Sequence, residues 1–234
     1  MQPAPLPPSS WLPPPAAEPS AQPGSRRRTL SPAGQPATRP ATLSKQPTSS
    51  PPSRSKDAAP KTGYDREEFG PAWQDTDHNG CDTRNDILAR DLTKTTLKPG
   101  TNNCIVLTGS LADPYTATTI AFTRGSKTSS AVQIDHVVAL SDAWQKGAQR
   151  LSKAQRTVFA NDPLNLLAAS GPANQQKSDG DAATWLPSSK AYRCPYVARQ
   201  ISVKAKYKLW VTQAERTAMA AVLAQCGGTV AGGK

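Results

Sequence analysis

Proline is concentrated at one end of this chain, and that distribution bounds where a packed core can form. Of its 23 prolines, 16 fall within residues 1–60, among Ala, Ser, Thr and Gln and with almost no aliphatic side chain larger than alanine. Such a stretch cannot bury enough apolar surface to offset the entropy of ordering it. Residues 1–60 are therefore expected to form a disordered, partly polyproline II tail. Residues 61–228 are long enough for one domain and too short for two with separate cores. The folded part is expected to open near Tyr64, and residues 229–234 to be a flexible C-terminus.

Lys and Arg exceed Asp and Glu by 28 to 17, a net charge of +11 shared between tail and domain. A basic balance raises affinity for polyanions, nucleic acid above all, although charge alone fits a solubilising excess or attraction to an anionic envelope equally well. The four cysteines, Cys81, Cys104, Cys194 and Cys226, have no CxxC spacing, and the chain has only two histidines. Zinc fingers and redox motifs are thereby disfavoured and two disulfides expected. Of the three pairings that four cysteines allow, sequence proximity favours Cys81–Cys104 with Cys194–Cys226. Such bridges imply an oxidising, extracellular setting. The opening MQPAPLPPSSWLPPPAAEPS lacks the basic start and apolar run of a signal peptide, so export is expected by another route or from a trimmed start. No segment approaches the roughly 18–20 apolar residues of a membrane span.

Along the domain, YDREEFGPAW leads into the acidic loop DTDHNGCDTRND and then ILARDLTKTTL, whose spacing predicts a short helix. Two β-branched runs, around Cys104–Thr108 and Thr116–Thr123, flank the turn-forming Asp113–Pro114 and predict an antiparallel hairpin or meander. AVQIDHVVAL is a third β-rich run. SDAWQKGAQRLSKAQRTVFAND reads as one helix stopped by Asp162–Pro163, and Leu164–Ala169 as a returning strand. GPANQQKSD has the Gly-Pro opening of a helix, since proline is tolerated in the first turn. The final stretch from Val203 to Cys226 predicts one or two amphipathic helices. The class is α+β, and Trp144 and Trp185 are expected to anchor its core.

The strand–strand–helix order places Asp135 and His136 on the first strand, Asn165 at the start of the second and Asn174 in the first turns of the helix. Histidine can take a proton from water near neutral pH. A carboxylate and an amide oxygen suit a hard divalent cation.

QIDHVVAL, NDPLNLLAA and GPANQQKSD, in that order, resemble the three parts of the HNH (ββα-metal) nuclease motif. The likeness is to the Asp-His variant ending in Asn, found in secreted bacterial nucleases that carry GCDTRNDIL ahead of the motif. The resemblance spans roughly Tyr64 to Cys226. It implies a ββα-metal core with extra helices and a small hairpin, stabilised by disulfides. Asp135 then matches the metal ligand, His136 the general base, Asn165 the residue that ties the loop and orients the histidine, and Asn174 the last position. Asparagine in that position, where the name-giving pattern has histidine, leaves oxygen ligands only and implies Mg²⁺ or Mn²⁺. The implied activity is hydrolysis of phosphodiester bonds in DNA, and RNA as a second substrate, with low sequence specificity. Lys177, one turn beyond Asn174, reads as an exposed lysine or a phosphate contact.

The loop Asp75-x-Asp77-x-Asn79-Gly80, with Asp82 and Asp86 following, permits three readings. It resembles the start of a structural Ca²⁺ loop, although Asp stands at the twelfth position where the EF-hand has Glu. It also reads as an Asx-rich turn fixed by a Cys81 disulfide, or as a cleft wall with Arg84 on a phosphate. His78, inside it, is expected to be exposed and non-catalytic. The alternative function is accordingly a non-enzymatic calcium-binding envelope module using Asp75–Asp86. A nuclease restrained by an immunity or inhibitor protein is a third.

Overall fold

The computed structural model describes residue 51 and residues 55–227. Most of the expected tail and the C-terminal residues 229–234 lie outside them. Within the described part the chain engages the domain ahead of the boundary placed at residue 61. Ser55 bridges Val211, the Lys56 amide donates to the Val211 carbonyl (3.0 Å), and the Trp210 indole donates to the Asp57 carbonyl (3.2 Å). Residues 55–59 contain no proline, so their amides are free to make such bonds.

The first helix, α1 (Thr83–Asp91), begins where the Asp82 carboxylate accepts the Asn85 amide, as an N-cap should. The helix expected to continue through Leu97 stops at Asp91. Leu92–Leu97 is instead a strand, β1, antiparallel to β2 (Val106–Ala112), which in turn pairs with β3 (Thr119–Thr123). Three of the six residues of β1 are threonine, a β-branched type that the pleated surface favours. Pairing of Leu92 with Leu111 places both in a core with Ile87, Leu88 and Phe122, and that packing overrides the local helical spacing.

A second sheet contains β4 (Val132–His136) and β5 (Leu166–Ser170), antiparallel with His136 opposite Leu166, and α4 (Gly171–Lys177) follows directly. Gly171 is obligatory at this junction, because a Cβ there would collide with the Ser130 carbonyl. The single helix expected between the strands is divided into α2 (Leu140–Gln145), a 3-10 turn (Ala148–Arg150) and α3 (Lys153–Ala160). The divisions have local causes. Gly147 adopts φ 125° with Trp210 close against it, and Ser152 with Gln155 forms a capping box that starts α3 afresh.

Two terminal helices, α5 (Arg193–Lys206) and α6 (Gln213–Leu223), cover the second sheet. Trp144 is buried against Tyr64 and Phe69, and Trp185 packs edge-on against Tyr115 and Tyr196. Disulfides join Cys81 to Cys104 and Cys194 to Cys226. The first ties the acidic loop to the chain entering β2, and the second ties the first turn of α5 to the end of α6. Mixed helix and sheet with two disulfides is therefore the observed architecture. A buried ionic cluster of Lys146 and Lys204 with Asp142, Asp181 and Glu215 joins α2, α5 and α6 behind the second sheet.

Candidate active site

Strand alternation and helix periodicity together build one wall of the site. Residues two apart on a strand share a face, so Gln133 and Asp135 point the same way from β4. Residues three apart on a helix are neighbours, and Asn174 and Lys177 of α4 sit above that pair. Asn174 Nδ2 donates to Gln133 Oε1 (2.9 Å), and Lys177 Nζ donates to Asp135 Oδ1 (2.9 Å) and to the His136 carbonyl (2.8 Å).

Lys177 is 2% exposed, which corrects its reading as a solvated lysine or phosphate contact. Its ammonium is placed against the Asp135 carboxylate, and leaving water is offset by a charged partner and a carbonyl. The other Asp135 oxygen accepts from the hydroxyl of Tyr115. Tyr115 is wholly buried and enters from the β2–β3 turn, which Asp113 fastens to the sheet by accepting the Ser170 amide (2.9 Å). Burial pushes the Asp135 carboxyl up, against the opposing pull of Lys177 and Tyr115. Burial, with Asp135 beside it, holds the Tyr115 hydroxyl well above its usual range, so it stays a donor.

His136 ends β4 and is buried on the side of α3. Its Nε2 lies 2.8 Å from the Ala160 carbonyl oxygen. A carbonyl only accepts, so Nε2 carries the proton and Nδ1 keeps its lone pair. Burial pulls the imidazole pKa down to about 3, with Arg66 and Lys177 adding to the effect and the Ala160 hydrogen bond opposing it. The ring is thus neutral across the physiological range. The indole of Trp73 lies nearly parallel to it, with 14° between planes and 6.1 Å between centroids.

Asn165, fully buried, pins the loop after β4. Its Oδ1 accepts the Val138 amide (2.8 Å), its Nδ2 donates to the Val138 carbonyl (3.2 Å), and its own carbonyl accepts the Val137 amide (2.8 Å). It fixes the chain immediately after His136 through three hydrogen bonds to the backbone of that loop.

A cavity of about 600 Å³ opens beside these groups, lined by Asp135, His136, Asn174 and Gln133, with Lys61, Arg66 and Arg84 around it. Burial lowers the Arg84 pKa and nearby Arg124 lowers it further, while Asp82 opposes both. The oxygen donors fit a hard cation. Asp135 offers a carboxylate, and the Asn174 amide, held by its nitrogen, leaves its oxygen as the acceptor. Mg²⁺ accepts such a small protein set because it keeps several waters.

The acidic loop sits elsewhere. Asp75 accepts the amides of Asn79 and Gly80, Asn79 bridges Asp77 and Asp86, and Asp82 is consumed by the α1 cap. Among the described residues no group of three or more His, Cys, Asp or Glu side chains is arranged to hold a metal. Arg84 alone of the loop's singled-out residues lines the cavity. His78 is exposed, with φ 58°. Gln133, Tyr115, Lys61, Arg66 and Trp73 escaped the sequence reading. Gln133 was detectable, since it lies two residues before Asp135 on the same strand face.

Comparison with known proteins gives three findings. A family model described as GmrSD restriction endonucleases, C-terminal domain, matches residues 82–222. A protein of Arthroderma benhamiae described as an uncharacterized secreted protein is 38% identical over 169 residues, covering 71% of this chain and 78% of its own length. No solved structure matches.

Proposed function

The chain belongs to the family of GmrSD restriction endonuclease C-terminal domains, and from that membership and the surroundings of His136 we propose that it is a metal-dependent endonuclease of the HNH (ββα-metal) type. The observation that carries this reading is the contact of His136 Nε2 with the Ala160 carbonyl, 2.8 Å. It leaves a neutral Nδ1 as proton acceptor beside a cavity lined by the carboxylates of Asp135 and Asp179, the Asn174 amide and three cations, of which Lys61 is paired with Asp179 (3.2 Å).

Lys61, Arg66 and Arg84 bind the phosphodiester backbone of nucleic acid, DNA foremost. His136 Nδ1 takes the proton from a water that attacks phosphorus in line. Asp135 and Asn174 would hold Mg²⁺ or Mn²⁺, which when bound neutralises charge on the phosphate and the leaving 3′-oxygen. Tyr115 and Lys177 fix the Asp135 carboxylate, and Asn165 fixes the loop that carries His136. The products carry 5′-phosphate and 3′-hydroxyl ends. The two disulfides and the secreted relative support work outside the cell. No helix of the described residues is long and apolar enough to cross a membrane.

The test is nicking of supercoiled plasmid by the full chain in Mg²⁺, Mn²⁺ or EDTA, with wild type beside Asn174→Ala. The expected result is activity that EDTA abolishes and that Asn174→Ala lowers by about 10–100-fold at limiting metal. Cleavage indifferent to EDTA and to the substitution would overturn the metal-dependent reading.

A further inference from the structure

Residues 55–62 form a strap that is bound along its length. The Ala59 amide donates to the Gln145 carbonyl (2.8 Å), Gln149 Nε2 to the Pro60 carbonyl (3.0 Å) and the Trp144 indole to the Thr62 carbonyl (3.3 Å). Lys61, on this strap, lines the cavity beside His136. Near the strap's other end the ring of Trp210 carries two cations, with Lys56 Nζ 5.4 Å from its centroid and the Arg150 guanidinium 5.3 Å from it. The 3-10 turn that bears Arg150 is fixed to the same residue, since Gly147 lies against the ring and the Trp210 amide donates to the Lys146 carbonyl (3.0 Å).

An aromatic face holds a cation through the ring quadrupole and, unlike a carboxylate, leaves its charge uncancelled. Lys56 and Arg150 are both exposed, and among the described residues neither charged group has an ion pair or a hydrogen bond. The strap's one carboxylate belongs to Asp57, which meets Trp210 through its carbonyl. Three ammonium and five guanidinium donors are therefore positioned and open to an outside acceptor.

Five residues separate Lys56 from Lys61, a reach of at most about 18 Å, which a duplex with a phosphate every ~3.4 Å along each strand covers in about five base pairs. Lys61 is bridged to Asp179 (3.2 Å), but both side chains are about half exposed, and such a pair is weak enough for a phosphate to displace. The other way out of the site suits a phosphate chain less, because the cavity on the Trp73 side of His136 is lined by Asp65 and Glu67 as well as by Arg66 and Lys153.

We propose that Lys56 and Arg150, set by Trp210, form a second contact for nucleic acid, taking backbone phosphates within about five base pairs of those held at the active site. The inference rests on the nuclease reading for the identity of the polyanion. Contacts to phosphate carry no sequence information, so this one lengthens the bound segment and adds no base preference.

Binding of a fluorescein-labelled 20-base-pair duplex to the full chain is followed by anisotropy at several salt concentrations, in EDTA so that a metal-dependent site does not cut. The double variant Lys56→Gln, Arg150→Gln is expected to bind about tenfold more weakly and to lower the slope of log affinity against log salt by about two, one for each phosphate contact. The double variant Lys98→Gln, Lys190→Gln removes the same charge from exposed positions in other elements and is expected to bind as wild type does. Equal effects of the two double variants overturn the proposal, because net charge alone then sets affinity. Unchanged duplex binding by the first variant overturns it as well, and if that variant instead loses binding to phosphatidylglycerol vesicles, the patch serves an anionic surface. Plasmid nicking run alongside separates the two readings. Weakened duplex binding with no nicking in wild type removes the nuclease and keeps the contact, whereas His136-dependent nicking with unchanged binding removes the contact and keeps the nuclease.

Discussion

Acidification should destabilise this protein through one imidazole. The unfolded His136 side chain binds its proton near pH 6.5, whereas burial holds the folded one neutral down to about 3. Between these values the unfolded state binds more protons, so stability falls as pH falls. At pH 4.5 the unfolded ring is almost fully protonated and the folded ring almost neutral. The difference from pH 7.5 is about 2–3 kcal/mol at one pKa unit per ~1.4 kcal/mol. That is a large share of the roughly 5–15 kcal/mol of a typical domain. Guanidinium unfolding of wild type and His136→Gln at both pH values isolates it. Glutamine is neutral and can still donate to the Ala160 carbonyl, and the contribution of Asp135, common to both proteins, cancels in the comparison. Wild type should lose about 2–3 kcal/mol more than the variant. Equal losses would refute the reasoning, because the folded ring would then titrate as an exposed histidine does and would not be held as the neutral base.

Two further substitutions follow from the same geometry. Asn165→Ala removes both side-chain hydrogen bonds to Val138 and leaves buried backbone groups unpaired, a loss of about 2–3 kcal/mol by thermal unfolding, together with a fall in cleavage rate as the loop after His136 loosens. Lys177→Met strands the Asp135 carboxylate in a desolvated site and should cost about 3–5 kcal/mol in the same measurement. A melting temperature unchanged by Lys177→Met would mean that the ammonium lies in solvent.

The hairpin β2–β3 was legible because its β-branched runs flank Asp113–Pro114, and β4 because its run is short and unbroken. The stretch Leu92–Leu97 was not, since Leu92 follows Leu88 at the four-residue spacing of a helix while its strand identity comes from Leu111 and Thr108 across the sheet. Lys177 shows the same limit in the site. On α4 alone it is a lysine on a polar helix, and only the packing of that helix on the Asp135 face of β4 decides that it is buried. The placement of Asp135, His136, Asn165 and Asn174 on β4, at the start of β5 and on the following helix was readable from their order, because the Gly171–Pro172 start puts that helix directly after β5. Tyr115 and Trp73 were invisible for the opposite reason. Both reach the site from distant loops, one fastened by Asp113 and the other held by the Thr83 amide.

The account turns on His136 as the group that activates water. Nicking of supercoiled plasmid by the full-length chain in Mg²⁺, with wild type and His136→Ala compared at equal folded concentration, tests it most directly. The account predicts a rate lower by about 10²–10⁴-fold in the variant. Equal rates in the two proteins would contradict it and place the chemistry at another site.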